Sequence, residues 1–169
     1  MNVPQLYIQI AVESTAWLRI NNLYVFCDKI INEALRFLFS KDRPFVVERA
    51  IEVSFLFTDS ISIRELNSIW RGVDKSTNVL SFPSNFCMDS KCLSVIGDIV
   101  LAYEVIEQEA IEFQKTFENH LTHLIIHGFL HLLGYNHVND RDACIMEELE
   151  TCILANLGFS DPYEGYILF

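Results

Sequence analysis

Residues 121–135 constrain this chain more than any others, because Leu121 to Tyr135 is its most apolar stretch and three histidines interrupt it. A membrane span needs roughly twenty uninterrupted apolar residues. The stretch therefore reads as a helix buried in a protein interior, where each imidazole needs a polar partner. All five histidines of the chain (His120, His123, His127, His131 and His137) fall within the eighteen consecutive residues 120–137.

Three of them have a spacing that chemistry can use. His127 and His131 stand four apart, so on a helix their rings project from one face, one turn apart. At that spacing two ring nitrogens reach one tetrahedral ion at about 2.0–2.1 Å. Gly134 stands where the helix should stop, and glycine accepts the left-handed backbone that reverses a chain there. Reversal through Tyr135 and Asn136 brings His137 back beside the last turn. Three histidine ligands leave a fourth position for water, the pattern of open catalytic sites rather than closed structural ones. One zinc ion is the expectation, although imidazole also suits copper, iron and nickel.

His120 reads as a core or surface histidine with an ordinary hydrogen bond. His123 precedes His127 by four residues, so it can support a ligand or touch substrate from the same face. Gly128 excludes one chemistry. In HExxH metalloproteases the glutamate beside the first histidine activates water, and here that place holds glycine. The site can still lower the pKa of a bound water and polarise a phosphoryl oxygen.

The rest of the chain supplies a core for such a helix. It has 169 residues, 51% of them hydrophobic and thirteen of them Phe, which suits one domain spanning 1–169. The Met-Asn-Val-Pro-Gln start lacks the basic and apolar regions of a signal peptide, so a cytoplasmic location is expected, with no membrane attachment. The five cysteines form no CxxC pair and read as reduced thiols; a zinc knuckle at Cys87 and Cys92 lacks a second ligand pair. The net charge is −11, and the imbalance lies entirely after residue 75. Most of those acids read as solvated helix faces. Affinity for a polyphosphate comes largely from Lys and Arg, so RNA contact would have to use Arg64, Arg71 and Lys75.

Residues Leu6 to Val12 alternate as a half-buried strand. Asn21 or Asn22 caps a helix to about Phe39, Lys41 to Pro44 is a turn, and Val46 to Phe57 is a strand. Asp59 or Ser60 caps a helix through Trp70. Asn78 to Phe82 and Val95 to Tyr103 are strands. Helices follow over Ala102 to Phe117, Asn119 to Leu133, and Asp140 to Asn156, stopping at Gly158. Strands early and helices late predict an α+β fold. It is a small mixed β-sheet packed against several helices, with the metal-binding helix in the C-terminal half.

The run His127-Gly-Phe-Leu-His131-Leu-Leu-Gly134-Tyr135-Asn136-His137 resembles the HGxLHLxGYDH signature of the YbeY family, endoribonucleases of bacterial ribosomal RNA maturation. Leu66-Asn67, Arg71-Gly72 and Lys75-Ser76-Thr77-Asn78-Val79-Leu80-Ser81-Phe82-Pro83 resemble a second block of that family. Gly97-Asp98-Ile99 resembles a third, and Met146-Glu147 with Glu150, Leu157-Gly158 and Asp161-Pro162-Tyr163 resemble its C-terminal helix and tail. The resemblance implies a zinc-dependent, single-strand-specific endoribonuclease whose partners are ribosomal RNA and the ribosome or its proteins. It implies His127, His131 and His137 as metal ligands and Arg71 as a basic residue associated with activity. A planar guanidinium can hold two phosphate oxygens at once; from the residues alone a surface ion pair is equally open to Arg71. Asp98 either orients a ligand histidine or lies elsewhere. Asn136 departs from the family's usual Asp and is read as shaping the turn, which both residues favour.

Two rivals stand beside RNA cleavage. A non-catalytic, metal-stabilised ribosome-assembly factor would use the acidic second half to meet basic ribosomal proteins. A metallohydrolase of another substrate class would need a base that Gly128 does not supply.

Overall fold

The computed structural model describes residues 3–41, 50–84 and 93–164. Four strands form one mixed sheet: β1 (Gln5–Val12), β2 (Ala50–Thr58), β3 (Val79–Pro83) and β4 (Ser94–Ala102), in the order β1-β2-β4-β3. β1 and β4 run parallel to β2, and β3 runs antiparallel to β4 at the edge. The helices are α1 (Leu23–Ser40), α2 (Ser60–Arg71), α3 (Tyr103–Glu112), α4 (Phe117–Leu132) and α5 (Asp140–Asn156). This is the expected α+β mixed sheet. Among the described residues no helix is long and apolar enough to cross a membrane.

Side-chain alternation divides the sheet into two faces. Ile51, Val53, Phe55 and Phe57 of β2, with Ile99 and Leu101 of β4, point into the main core with α1, α4 and α5. Leu80, Val100 and Ala102 point the other way, into a smaller cluster with Ile63 of α2. α4 crosses beneath β3 and β4, buries Leu121, Leu124, Ile125, Phe129 and Leu132, and contacts α1, α3 and α5. Trp17 locks the sheet to the helices. It is fully buried, donates from Nε1 to the Thr58 carbonyl at 2.9 Å, and meets Phe57, Tyr103 and Phe117 edge-on.

Caps set most helix starts, each side-chain oxygen accepting from an otherwise unpaired backbone N–H. Asn22 accepts from Val25, Asp59 from Ile61 and Ser62, Thr116 from Asn119, and Asn139 from Asp142.

The expected helix over Ala102 to Phe117 is corrected here: α3 stops at Glu112 and α4 begins at Phe117, two residues before Asn119. Gln114 takes a left-handed backbone (φ 55°), and the Lys115 N–H closes back on the Ala110 carbonyl at 2.8 Å. That is a helix stop usually built on glycine. Of the expected 46–57 strand, residues 46–49 lie outside the described residues, as does the turn beyond Lys41. Cys87 and Cys92 also lie outside them. Cys27 is buried and its thiol is pushed well up by that burial, whereas Cys144 is exposed.

Candidate metal centre

α4 presents its histidines on a stripe beside the apolar face that grips the sheet. The helix ends as the glycine requires: Gly134 sits at φ +90° and Tyr135 N–H returns to the Leu130 carbonyl at 3.1 Å. The reversed chain carries His137 back, with its ring centroid 5.1 Å from His131 and 5.5 Å from His127. Asn136 shapes this turn through its Oδ1, which accepts from Val138 N–H at 3.2 Å. One nitrogen from each of His127, His131 and His137 lies within 4.8 Å of the others.

Hydrogen bonds decide which nitrogens are available. His131 Nδ1 lies 2.9 Å from the Tyr135 carbonyl, which can only accept, so Nδ1 carries the proton. His127 Nδ1 lies 2.8 Å from Glu150 Oε1 and is protonated for the same reason. Each neutral ring is left with a lone pair on Nε2, and these two atoms face one another at 3.0 Å. Two lone pairs at that distance repel unless a shared proton or a metal cation stands between them. The donor set therefore fits a divalent metal ion. Burial, and next the neighbouring His127, lowers the His131 pKa, which keeps its lone pair free.

Glu150 holds this arrangement from α5. Its carboxylate is 1% exposed and accepts from His127 Nδ1, from His123 Nε2 at 2.8 Å and from the Tyr163 hydroxyl. Burial alone would raise its pKa. The bonds from His123 and His127 outweigh that and hold it down to about 2, against an ordinary 4.5. Burial and then the Glu150 charge push the Tyr163 phenol up. Carboxylates that fix a ligand imidazole in this way set its tautomer and raise its basicity. His123, His127 and Glu150 could also group around a metal, but the bonds among them already occupy the facing atoms.

Sequence reasoning cited Glu150 only as part of a similar C-terminal helix. A signal was present: it lies on a buried face with Met146, Leu149, Ile153 and Leu154, and an acid there needs donors. His123 meets the same carboxylate, its Nε2 lying 2.8 Å from Glu150 Oε2. Asp98 lies elsewhere, exposed on β4.

Gly128 has a structural cause. A Cβ there would meet Ile99 Cγ2 and Ser81 Oγ at 3.1 Å and Val79 Cγ2 at 3.4 Å. A side chain at position 128 would start out pressed against the sheet.

Arg71 reaches the same strand from the opposite side. Its Nη2 donates to the Ser81 carbonyl at 2.9 Å, and Ser81 Oγ donates to the Gly128 carbonyl at 3.2 Å. Two hydrogen bonds thus join Arg71 to the residue after His127. Its guanidinium lies 5.9 Å from the Phe82 ring, in a cleft of about 780 Å³ shared with Trp70, Phe82 and Asp98. Among the described residues it has no ion pair. Arg64 is otherwise engaged, held by Asp74 through two bonds of 2.7 and 2.9 Å.

Comparison with known proteins places this geometry among relatives. The profile of the family described as Endoribonuclease YbeY matches residues 20–158. A protein named Endoribonuclease YbeY from Rhizobium johnstonii is 49% identical over 164 residues, which are 96% of each chain. One of the same name from Agrobacterium fabrum is 49% identical over 94% of this chain and 95% of its own. The solution structure of TM1509 from Thermotoga maritima shares the fold with a TM-score of 0.54 at 22% identity, covering 92% of this chain and 98% of that one.

Proposed function

The chain belongs to the endoribonuclease YbeY family, and from that premise we propose that it cuts single-stranded RNA during ribosomal RNA processing. In this reading residues 1–169 serve as one cytoplasmic domain. One zinc ion sits on His127, His131 and His137, and Arg71 binds phosphate. The observation that carries the proposal is the approach of two ring nitrogens to 3.0 Å, each ring's other nitrogen being committed to a fixed acceptor.

A divalent ion held there would supply a Lewis acid for a phosphoryl oxygen and a more acidic water. The chain's own residues do the placing. Glu150 and the Tyr135 carbonyl hold His127 and His131 in the tautomer that offers Nε2. Arg71 has a positive charge unneutralised by any acid in bonding range among the described residues, which suits charge developing on the scissile phosphate. Gly128 argues against a peptidase, because it offers no carboxylate to serve as the base of that chemistry, and a Cβ there would already press on the sheet.

The test compares wild type with His131→Ala for bound metal and for cleavage of a single-stranded RNA, with and without chelator. The expected variant folds, loses stoichiometric zinc and loses cleavage. Full nuclease activity without metal would refute the proposal. A folded, inactive variant that still rescued ribosome assembly would favour the assembly-factor reading.

A further inference from the structure

Beyond Glu150, on the side away from His137, the histidine stripe continues into a second cavity of about 340 Å³. Its walls are Phe113, Lys115, His120, His123, Glu147 and Tyr163, with Pro162 behind. Four aromatic rings follow one another along it. Phe113 to His120, His120 to His123 and His123 to Tyr163 have centroid separations of 5.7, 6.3 and 5.6 Å. Lys115 joins two of its sides, donating from Nζ to the Pro162 carbonyl at 2.5 Å while lying 5.9 Å from the Phe113 ring.

Three properties narrow the occupant. The volume lies within the range of roughly 300–1,000 Å³ typical of small-ligand sites. The lining carries one cation and one anion, Lys115 and Glu147, so it is not built for a free phosphate. It is also not purely apolar. His120 and His123 put imidazole rings into its wall; His120, 4% exposed, donates from Nε2 to Glu109 at 2.7 Å, and its Nδ1, without a hydrogen-bond partner among the described residues, is closed off from solvent. A planar, uncharged heterocycle matches all three properties. Unpaired nucleobases are recognised in this way, stacked on aromatic rings and hydrogen-bonded along their edges.

The cavity is also coupled to the metal centre. His123 and Tyr163 form its wall and both bond to Glu150, whose other oxygen orients His127. We propose that this cavity is a nucleobase subsite, which takes one unpaired base of the RNA strand lying across His127, His131 and His137. The proposal rests on the nuclease reading and deepens it. A base in a duplex is stacked and paired and cannot enter, so the subsite gives a physical reason for single-strand selectivity.

The test uses zinc-loaded protein and single-stranded oligoribonucleotides carrying one 2-aminopurine at each position in turn. Fluorescence is read by stopped flow before cleavage, and cleavage is scored separately. Phe113→Leu keeps an apolar side chain and removes the ring. Phe113→Tyr restores a ring, and a thermal melt and zinc content check each variant. The expected result is quenching at one position relative to the cut. In Phe113→Leu that quenching disappears and affinity falls roughly 5- to 150-fold, the range of base–aromatic stacking; Phe113→Tyr restores both. Quenching at no position, or quenching retained in Phe113→Leu, overturns the subsite. Should Phe113→Leu fail to fold, Phe113→Tyr against wild type with an abasic site at the quenched position decides: loss of affinity at that position supports the subsite, and none overturns it. Wild type that quenches but never cleaves refutes the nuclease reading alone.

Discussion

Replacing Glu150 with Gln removes one charge and changes almost no volume, so its effects isolate what the carboxylate does. Three donors converge on two oxygens: His127 on Oε1, and His123 and Tyr163 on Oε2. An amide offers only one acceptor oxygen, and its nitrogen donates. If the oxygen stays with His123 and Tyr163, the amide nitrogen faces His127 Nδ1. The imidazole must then move its proton to Nε2, and the lone pair aimed at the metal is gone. If the oxygen turns to His127 instead, the amide nitrogen faces His123 Nε2 and the Tyr163 hydroxyl, and both of those bonds must be remade. A hydrogen bond to a charged group contributes about 1.5–3 kcal/mol, so the first orientation costs about 2 kcal/mol and the second about twice that. The lower-cost one is therefore the one that damages the metal site.

For a domain of this length about 2 kcal/mol lowers the melting temperature by roughly 4–8 °C. Loss of the orienting carboxylate should weaken metal binding about 10- to 100-fold. Far-UV circular dichroism of metal-free protein measures the first effect, and competition with a chromophoric chelator measures the second. Nitrogen-15 spectra of the histidines report the tautomer of His127 directly. A Glu150→Gln protein that melted within about 1 °C of wild type and held zinc equally well would refute this reasoning.

Acid should expose the same group. The folded carboxyl sits at about 2 against an ordinary 4.5, so its contribution is complete above about 4.5 and is lost as pH falls through 2. That contribution is of order 3 kcal/mol, and urea unfolding of metal-free protein across this window should lose less stability in Glu150→Gln than in wild type. Gly128→Ala should destabilise the fold by about 1–3 kcal/mol despite the better helix propensity of alanine, because its Cβ presses on Ile99 and Ser81; equal or greater stability in urea would contradict the packing. Arg71→Lys keeps the charge and loses the planar fork, so kcat/KM for RNA should fall roughly tenfold or more with the melt little changed. Unaltered kinetics would remove Arg71 from the phosphate.

The candidate metal site, as a convergence of three histidines, was legible because its decisive information is local. Two histidines four apart, a glycine that can turn left-handed and a third histidine three residues later need only helix geometry to converge. Arg71 was different. It lies on α2, and nothing in its neighbourhood in sequence ties it to α4; the link runs through the Ser81 carbonyl and hydroxyl, which only the sheet brings between them. Without the family resemblance it would have remained one arginine among several, and the structure distinguishes it from Arg64 by what each one bonds. The break between α3 and α4 was expected, but a few residues too late, because Gln114 occupies the left-handed position usually given to glycine and the sequence carries no ordinary stop there. That break places Phe113 and Lys115 on a turn beside His120. Glu150 was missed for a related reason: its partners lie on α4 and beyond α5, although an acid on the buried face of an amphipathic helix was a request for donors. His120 and His123 then cease to be spare histidines near a metal. One helix supplies two of the three candidate ligands, His127 and His131, together with His123, which bonds Glu150, and His120 in the wall of the neighbouring cavity, all on a single stripe. The spacing of that stripe was visible from the start; its division of labour required knowing what α5 and the C-terminal turn bring against it.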